Sequence, residues 1–336
     1  MSAVAPVRGD SSSGSTLARI HAPIRDKLER VVPEMHRVLA TDLPMMEKVS
    51  RYVLGSRGKL LRPTFVLLAS DVEEQAQDAA ITVAAVIELM HVATLVHDDS
   101  VDHSVLRRGL PTVNAVFSHE VSVIMGDFLY SRALRAAVDL ESLDFIRVLT
   151  DVSAELTIGE MRQLGSVDAL DLTEADYVKL VRSKTSSLLA AACESGAMFG
   201  AKRHQAALRR YGERLGIAFQ IADDLLDYTE DASVMGKPNG LDLKEHKVTL
   251  PLIGALPHLT PAARARVDAL FASDEPGDAL VAEIVGIVAD AGGLEYARRR
   301  GEQFAHEAQE ALSGVPDTPA RAALSEAIVY VMERRS

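Results

Sequence analysis

Residues 79–102 read AAITVAAVIELMHVATLVHDDSVD, an apolar run of helical character that stops on Asp98-Asp99-Ser100-Val101-Asp102. The stretch from Ala79 to Val96 is long enough to raise the question of a membrane span. Glu88 and His91 lie inside it, however, and charge at a bilayer centre is costly, so the reading is a buried core helix. Leu208 to Asp227 repeats the arrangement and closes on Asp223-Asp224-Leu225-Leu226-Asp227, the same Asp-Asp-x-x-Asp pattern. In a helix the first and last aspartates of each triplet are four apart and share one face. One such cluster is commonly a solvated face or an N-cap. Here each follows apolar residues, and carboxylates at the end of a core-facing helix are costly to desolvate unless paired or metallated. Two matched copies therefore point to bound cations. Hard divalent ions such as Mg²⁺ take carboxylate oxygens and keep positions for water and phosphate. Two acidic faces across a helical cavity would hold Mg²⁺ and, through it, a diphosphate.

The rest of the chain agrees with a helical setting. Strand signals are almost absent, and apolar residues recur at three and four along Leu208–Asp227, Ala279–Ala291 and Leu294–Leu312. With 336 residues, 48% of them hydrophobic, the chain can bury a large core. No Gly/Ser/Pro-rich linker interrupts it after the start, so the expectation is one domain, 16–336, behind a disordered tail, 1–15, containing Ser11-Ser12-Ser13-Gly14-Ser15. That start lacks the basic-then-apolar order of a secretory signal. The single cysteine, Cys193, excludes an internal disulfide and a cysteine metal site, and its alanine neighbours suggest a packed thiol. A net charge of −12 argues against nucleic acid. Gly196 and Gly200 could allow close helix approach, and the helices after Pro261 read as packing or lid structure.

Within this acidic chain, basic residues gather near the acidic motifs. Arg107 and Arg108 follow the first triplet, and Lys59 and Arg62 share a helical face if a helix runs into Pro63. Lys184-Thr185 opens a small, apolar segment. Lys237, Lys244 and Lys247 lie in the Gly/Pro-marked loop Gly236–Lys247 just after the second triplet. Arginine reads phosphate bidentately and lysine supplies a mobile point charge.

These motifs, in this order, resemble the trans-prenyl diphosphate synthases, the polyprenyl synthetase family. The likeness runs from about residue 20 to 334 through Glu88–His91, Leu95–Asp99, Leu106–Asn114, Gly126–Leu129, Gly159–Leu164, Lys184-Thr185, Phe219–Asp224 and Thr249–Leu252. The resemblance implies an all-α, single-domain helical bundle around a deep central cavity, of isoprenoid synthase type. It implies head-to-tail condensation of an allylic diphosphate with isopentenyl diphosphate, with Mg²⁺ as cofactor at three ions per site. Asp98, Asp102 and Asp223 are then the direct ligands, Asp99 and Asp227 act through water, and Asp224 belongs to the same metal set. Arg107, Lys184 and Lys237, with Lys247, take the allylic diphosphate; Lys59, Arg62, His91 and Arg108 take isopentenyl diphosphate. Thr185, Gln220 and the Lys184 carbonyl face the developing cation as neutral dipoles. Glu160 and Gln163 match a cavity-lining motif without an assigned role. Further implications are a homodimer, a cytoplasmic location and transient membrane contact without an anchor.

Two departures from the family pattern stand out: Arg57-Gly58-Lys59-Leu60 replaces Gly-Gly-Lys-Arg, and His246 stands where glycine is common. A positive φ at His246 would strain it. Product length should depend on what blocks the tail below Asp98. Each helical turn is about 5.4 Å deep, close to one isoprene unit. Ala93 and Thr94 leave the first floor open, where family members with short products usually carry an aromatic; Met90 lies one turn deeper, above Val86 and Ile87. The expectation is a long product of roughly six to nine units, about C30–C45. Geranylgeranyl diphosphate synthase and the catalytic subunit of a heteromeric synthase are the alternatives. A terpene cyclase normally has an Asn/Ser/Glu second motif, and a regulatory subunit loses aspartates. An ion-binding bundle leaves the basic residues unexplained.

Overall fold

The computed structural model describes residues 11–55, 58–107, 109–165, 169–229 and 239–333. Arg57, Arg108 and Lys237 lie outside them. The expected core helix forms as α5 (Ala79–Val101), joined by α1 (Ser11–His21), α2 (Arg25–Val38), α3 (Pro44–Gly55) and α4 (Leu61–Asp71). Leu89, Ile87 and Val86 on α5 are wholly buried and Met90 is 1% exposed. Burial of each such side chain contributes about 1.5–3 kcal/mol. The helix is long and apolar enough to cross a membrane, but it is packed against α2, α4, α7 (His119–Val138) and α10 (Ser187–Met198) inside the bundle.

α6 (Val113–Val116) leads into α7, and α8 (Leu143–Gly165) and α9 (Glu174–Val181) precede a five-residue π-turn, Arg182–Ser186, that runs directly into α10. π-Turns inside helices concentrate at functional sites. α11 (Gln205–Thr229), the second motif helix, packs on α10 and on α16 (Gly293–Ala311). Gly196 and Gly200 do permit close approach: a Cβ there would lie 2.1 Å from the Val66 carbonyl oxygen and 2.0 Å from that of Ser70. A second, smaller core around Leu252, Val267, Leu270 and Ile284 joins α12 (Leu241–Lys244), α13 (Leu250–Ala255), α14 (Pro261–Phe271) and α15 (Asp278–Asp290). α17 (Pro319–Met332) closes the bundle against α1, α4 and α11.

Three local expectations change. Ser11–Ser15 carries helical backbone as the start of α1, where a structureless tail was expected; residues 1–10 lie outside the described chain. Pro63 does not end a helix but sits in the first turn of α4, where its missing N–H costs nothing, so Lys59 precedes the helix on a loop. Among the described residues the one sheet is a two-stranded ribbon, β1 (Leu106–Arg107) and β2 (Leu110–Pro111), pairing Leu106 with Pro111 and Arg107 with Leu110. Cys193 is buried and unpaired, and burial pushes its thiol pKa up.

Candidate active site

Both acidic triplets end their helices. Asp98 and Asp99 occupy the last turn of α5 and Asp102 is its C-cap, while Asp223, Asp224 and Asp227 occupy the last two turns of α11. A helix C-terminus already carries about half a negative charge, so carboxylates there are electrostatically unfavourable. The pKa values register that cost. Burial first, and then the nearby Glu160 carboxylate, raise Asp98 to about 6, against the opposing pull of Lys184 and Arg107. Burial lifts Asp224 to about 7. Burial, and then Asp227, lift Asp242 to about 6. The arrangement is a concentration of negative charge in want of cations.

The six aspartates divide by what they touch. Asp99 accepts from Arg107 Nε at 2.7 Å, which ties the β-ribbon to α5. Asp227 accepts the backbone N–H groups of Leu241 and Asp242 at 3.1 and 3.0 Å and so anchors α12. Asp224 is 4% exposed and accepts from Tyr177 and Gln220. Protein donors thus engage Asp99, Asp224 and Asp227. On the first wall Asp98 is half-buried near Glu160 and Lys184 and Asp102 is exposed, while Asp223 on the second wall lines a cleft. Among the described residues no three acidic or histidine side chains converge on one point. Carboxylates at the ends of both helices suit a hard divalent ion whose remaining ligands are water and diphosphate oxygens.

A cleft of about 650 Å³ connects the second wall to the basic end of the site. Its lining includes Lys59, Arg62, His91, Leu95, Phe219 and Asp223. Three of the four residues expected to hold isopentenyl diphosphate thus meet in one cavity, and Arg108 lies outside the described residues. Lys59 donates to the Tyr330 hydroxyl at 3.0 Å, so the last helix, read from sequence as packing or lid, reaches the site. On the allylic side the π-turn presents Lys184 to Gln163 and, at 2.9 Å, to Glu160. Thr185 donates to Gln220 Oε1 at 2.9 Å. Lys247 pairs with Glu245 at 2.6 Å, and Asp102 is among the carboxylates that raise its pKa, which brings the lysine loop to the first wall. Lys244 instead pairs with Asp278, away from the aspartates. His246 has φ +56°, with its ring tilted against that of Phe271 at 5.6 Å, so the positive φ anticipated there is real.

This constellation has a counterpart among known proteins: residues 43–288 match the Polyprenyl synthetase family. The chain belongs to the polyprenyl synthetase family. The octaprenyl diphosphate synthase of Escherichia coli (strain K12) is 39% identical over 288 residues, spanning 85% of this chain and 89% of that protein. The crystal structure of a decaprenyl diphosphate synthase from Rhodobacter capsulatus superposes with a TM-score of 0.89 at 32% identity, covering 94% and 98% of the two chains. That of a polyprenyl synthase from Caulobacter crescentus CB15, complexed with calcium and isoprenyl diphosphate, gives 0.88 at 31% identity over 98% and 100%. The all-α isoprenoid synthase fold follows for this chain, and the family is in general Mg²⁺-dependent.

Sequence reasoning missed Asp242, Tyr177 and Tyr330. Asp242 stood inside the quoted lysine loop, and its backbone N–H meets the Asp227 carboxylate only because α12 folds back onto α11. Tyr177 carried no local signal, since its partner Asp224 lies 47 residues away. Tyr330 carried no signal, since its contact with Lys59 spans most of the chain.

Proposed function

We propose that this protein condenses an allylic prenyl diphosphate with isopentenyl diphosphate, head-to-tail and trans, to give a long-chain polyprenyl diphosphate of about six to nine units. The observation that carries the reading is the single cleft in which Lys59, Arg62 and His91 stand opposite Asp223. A cationic anchor and a carboxylate wall in one cavity suit two diphosphates bound by different means. The octaprenyl and decaprenyl diphosphate synthases described above are named for long products, of eight and ten units.

In the reaction the allylic C–O bond breaks and its electron pair leaves with the diphosphate. The double bond of isopentenyl diphosphate then forms the new C–C bond, and a proton passes to the departing diphosphate. Lys59, Arg62 and His91, with Arg108, hold the isopentenyl diphosphate. Arg107, Lys184 and Lys247, with Lys237, hold the allylic diphosphate. Asp98, Asp102 and Asp223 are the residues that would hold Mg²⁺, three ions per site, which when bound neutralises charge on the leaving diphosphate. Thr185 and Gln220 offer oxygen dipoles to the allylic carbon without a nucleophile strong enough to trap it. Ala93 and Thr94 leave the tail room below Asp98, and Met90, one turn deeper, is a flexible floor.

The protein works as a cytoplasmic homodimer. Exposed Ile124 (58%) and Met161 (65%) on α7 and α8 support pairing with a second copy. Exposed Val105 (64%) and Leu106 (61%) beside the first triplet suit brief membrane contact as an apolar product leaves. The test is incorporation of labelled isopentenyl diphosphate into farnesyl diphosphate with and without Mg²⁺. Incorporation that requires Mg²⁺ and is lost in Asp98→Ala and Asp223→Ala is the expected result. Undiminished turnover in both variants refutes the site.

A further inference from the structure

Four side chains form an unbroken hydrogen-bonded series behind the allylic wall. Tyr177 of α9, 3% exposed, donates its hydroxyl to Asp224 Oδ2 at 2.6 Å. Gln220, one turn before Asp224 on α11, donates from Nε2 to Asp224 Oδ1 at 2.8 Å. Thr185 of the π-turn donates to Gln220 Oε1 at 2.9 Å. An amide rotor is two-fold by itself and could present either end to the cavity. Asp224 Oδ1 accepts from Gln220 Nε2, so the end of Gln220 that meets Asp224 is the NH₂. The carbonyl oxygen is thereby directed to the side of Thr185, with one lone pair taken by that hydroxyl and the other remaining. Tyr177 occupies the second carboxylate oxygen and fixes the plane in which the first one faces Gln220.

We propose that Asp224 is a positioning residue, locked by Tyr177, that turns the Gln220 carbonyl oxygen toward the allylic carbon beside Thr185, and that it is not a metal ligand. The inference rests on the prenyl-transfer reading above. It assigns the second aspartate of the α11 triplet a role separate from that of Asp223. A carbonyl dipole preorganised toward a developing cation lowers the barrier, whereas a reversed amide would present N–H groups to it.

Tyr177→Phe removes one hydroxyl and keeps the ring, and Asp224→Asn allows the amide of Gln220 to reverse. Both should lower kcat by about 10- to 100-fold, the usual effect of removing a group that orients a reacting one. KM for both diphosphates and the Mg²⁺ concentration for half-maximal rate should stay within about twofold. Asp223→Asn, the comparison, should raise the Mg²⁺ requirement. The decisive measurement is Tyr177→Phe made in a Gln220→Ala background, where the lock has nothing left to orient and a further loss of less than about twofold is expected. A general loss of structure would persist in that background, and such persistence overturns the proposal. So does an unchanged kcat in Tyr177→Phe, or a rise of about tenfold in its Mg²⁺ requirement. Wild-type protein without Mg²⁺-dependent turnover would overturn the prenyl-transfer reading itself; failure confined to the variants overturns only the lock.

Discussion

Replacing Gly216 by alanine separates stability from catalysis in this bundle. Gly216 lies on α11 against the π-turn, and a Cβ there would sit 2.7 Å from Ser186 Cα and 3.0 Å from its Cβ. Ordinary carbon contacts are about 3.5–4.0 Å, so the turn must retreat by about 1 Å. Ser186 is backbone-rigid here, since its hydroxyl donates to the Glu213 carbonyl at 2.7 Å and Arg182 pairs with Glu213 at 2.7 Å. Two stability effects oppose each other: alanine gains about 1 kcal/mol of helix propensity, while overpacking costs about 1–3 kcal/mol. The net loss is about 0–2 kcal/mol, a fall in Tm of no more than about 5 °C. Catalysis has no such compensation, because Thr185 and Lys184 ride on the displaced turn. A misplacement of about 1 Å costs on the order of 100-fold in rate. Gly286→Ala is the control, because nothing lies within 4 Å of its Cβ position in α15; it should gain about 0.5–1 kcal/mol and keep full activity. Steady-state incorporation of labelled isopentenyl diphosphate and thermal melts measure both. A Gly216→Ala protein with wild-type kcat refutes the claim that this turn sets the allylic geometry.

Other expectations follow from single contacts. Ala93→Phe should shorten the product, read by chromatography of the dephosphorylated chains, and an unchanged length sinks the steric account of the floor. Tyr330→Phe keeps the ring 5.7 Å from Lys59 Nζ and removes its hydroxyl acceptor; KM for isopentenyl diphosphate should rise by about two- to fivefold at unchanged kcat. A pH series of melts tests the acidic walls. Asp98, Asp224 and Asp242 are raised to about 6, 7 and 6 in the folded chain, above the unfolded value near 3.9. The folded state then holds the extra protons, so this stabilising contribution is complete below the unfolded value and is lost as pH climbs through 6 to 7. Metal-free protein should melt lower at about pH 8 than at about pH 5.5, and Mg²⁺ with inorganic diphosphate should narrow the gap. A metal-free Tm that rises over that range contradicts the charge concentration.

The fold was legible where periodicity is local. α5 and α11 announced themselves by apolar runs ending in aspartates, and Gly196 and Gly200 by small size at a helix spacing. The positive φ at His246 was foreseeable because the family pattern has glycine there. What escaped depends on partners distant in sequence. Nothing near Asp224 shows that Tyr177, 47 residues away, meets one of its oxygens, so the sequence reading sets Asp224 with the metal-binding aspartates. The π-turn at Arg182–Ser186 leaves no mark in the apolar pattern, which shows only that Lys184-Thr185 opens a small, apolar segment. Pro63 misled because proline ends helices and also begins them, and only the backbone of Leu60, with φ +51°, decides which.

The measurement that tests the central claim most directly sizes the products formed from labelled isopentenyl diphosphate and farnesyl diphosphate by the purified chain alone, with Mg²⁺. The account predicts a Mg²⁺-dependent ladder ending at about six to nine units, set by the open positions at Ala93 and Thr94. A ladder that ends at about four units, or no elongation without a second protein, would contradict it.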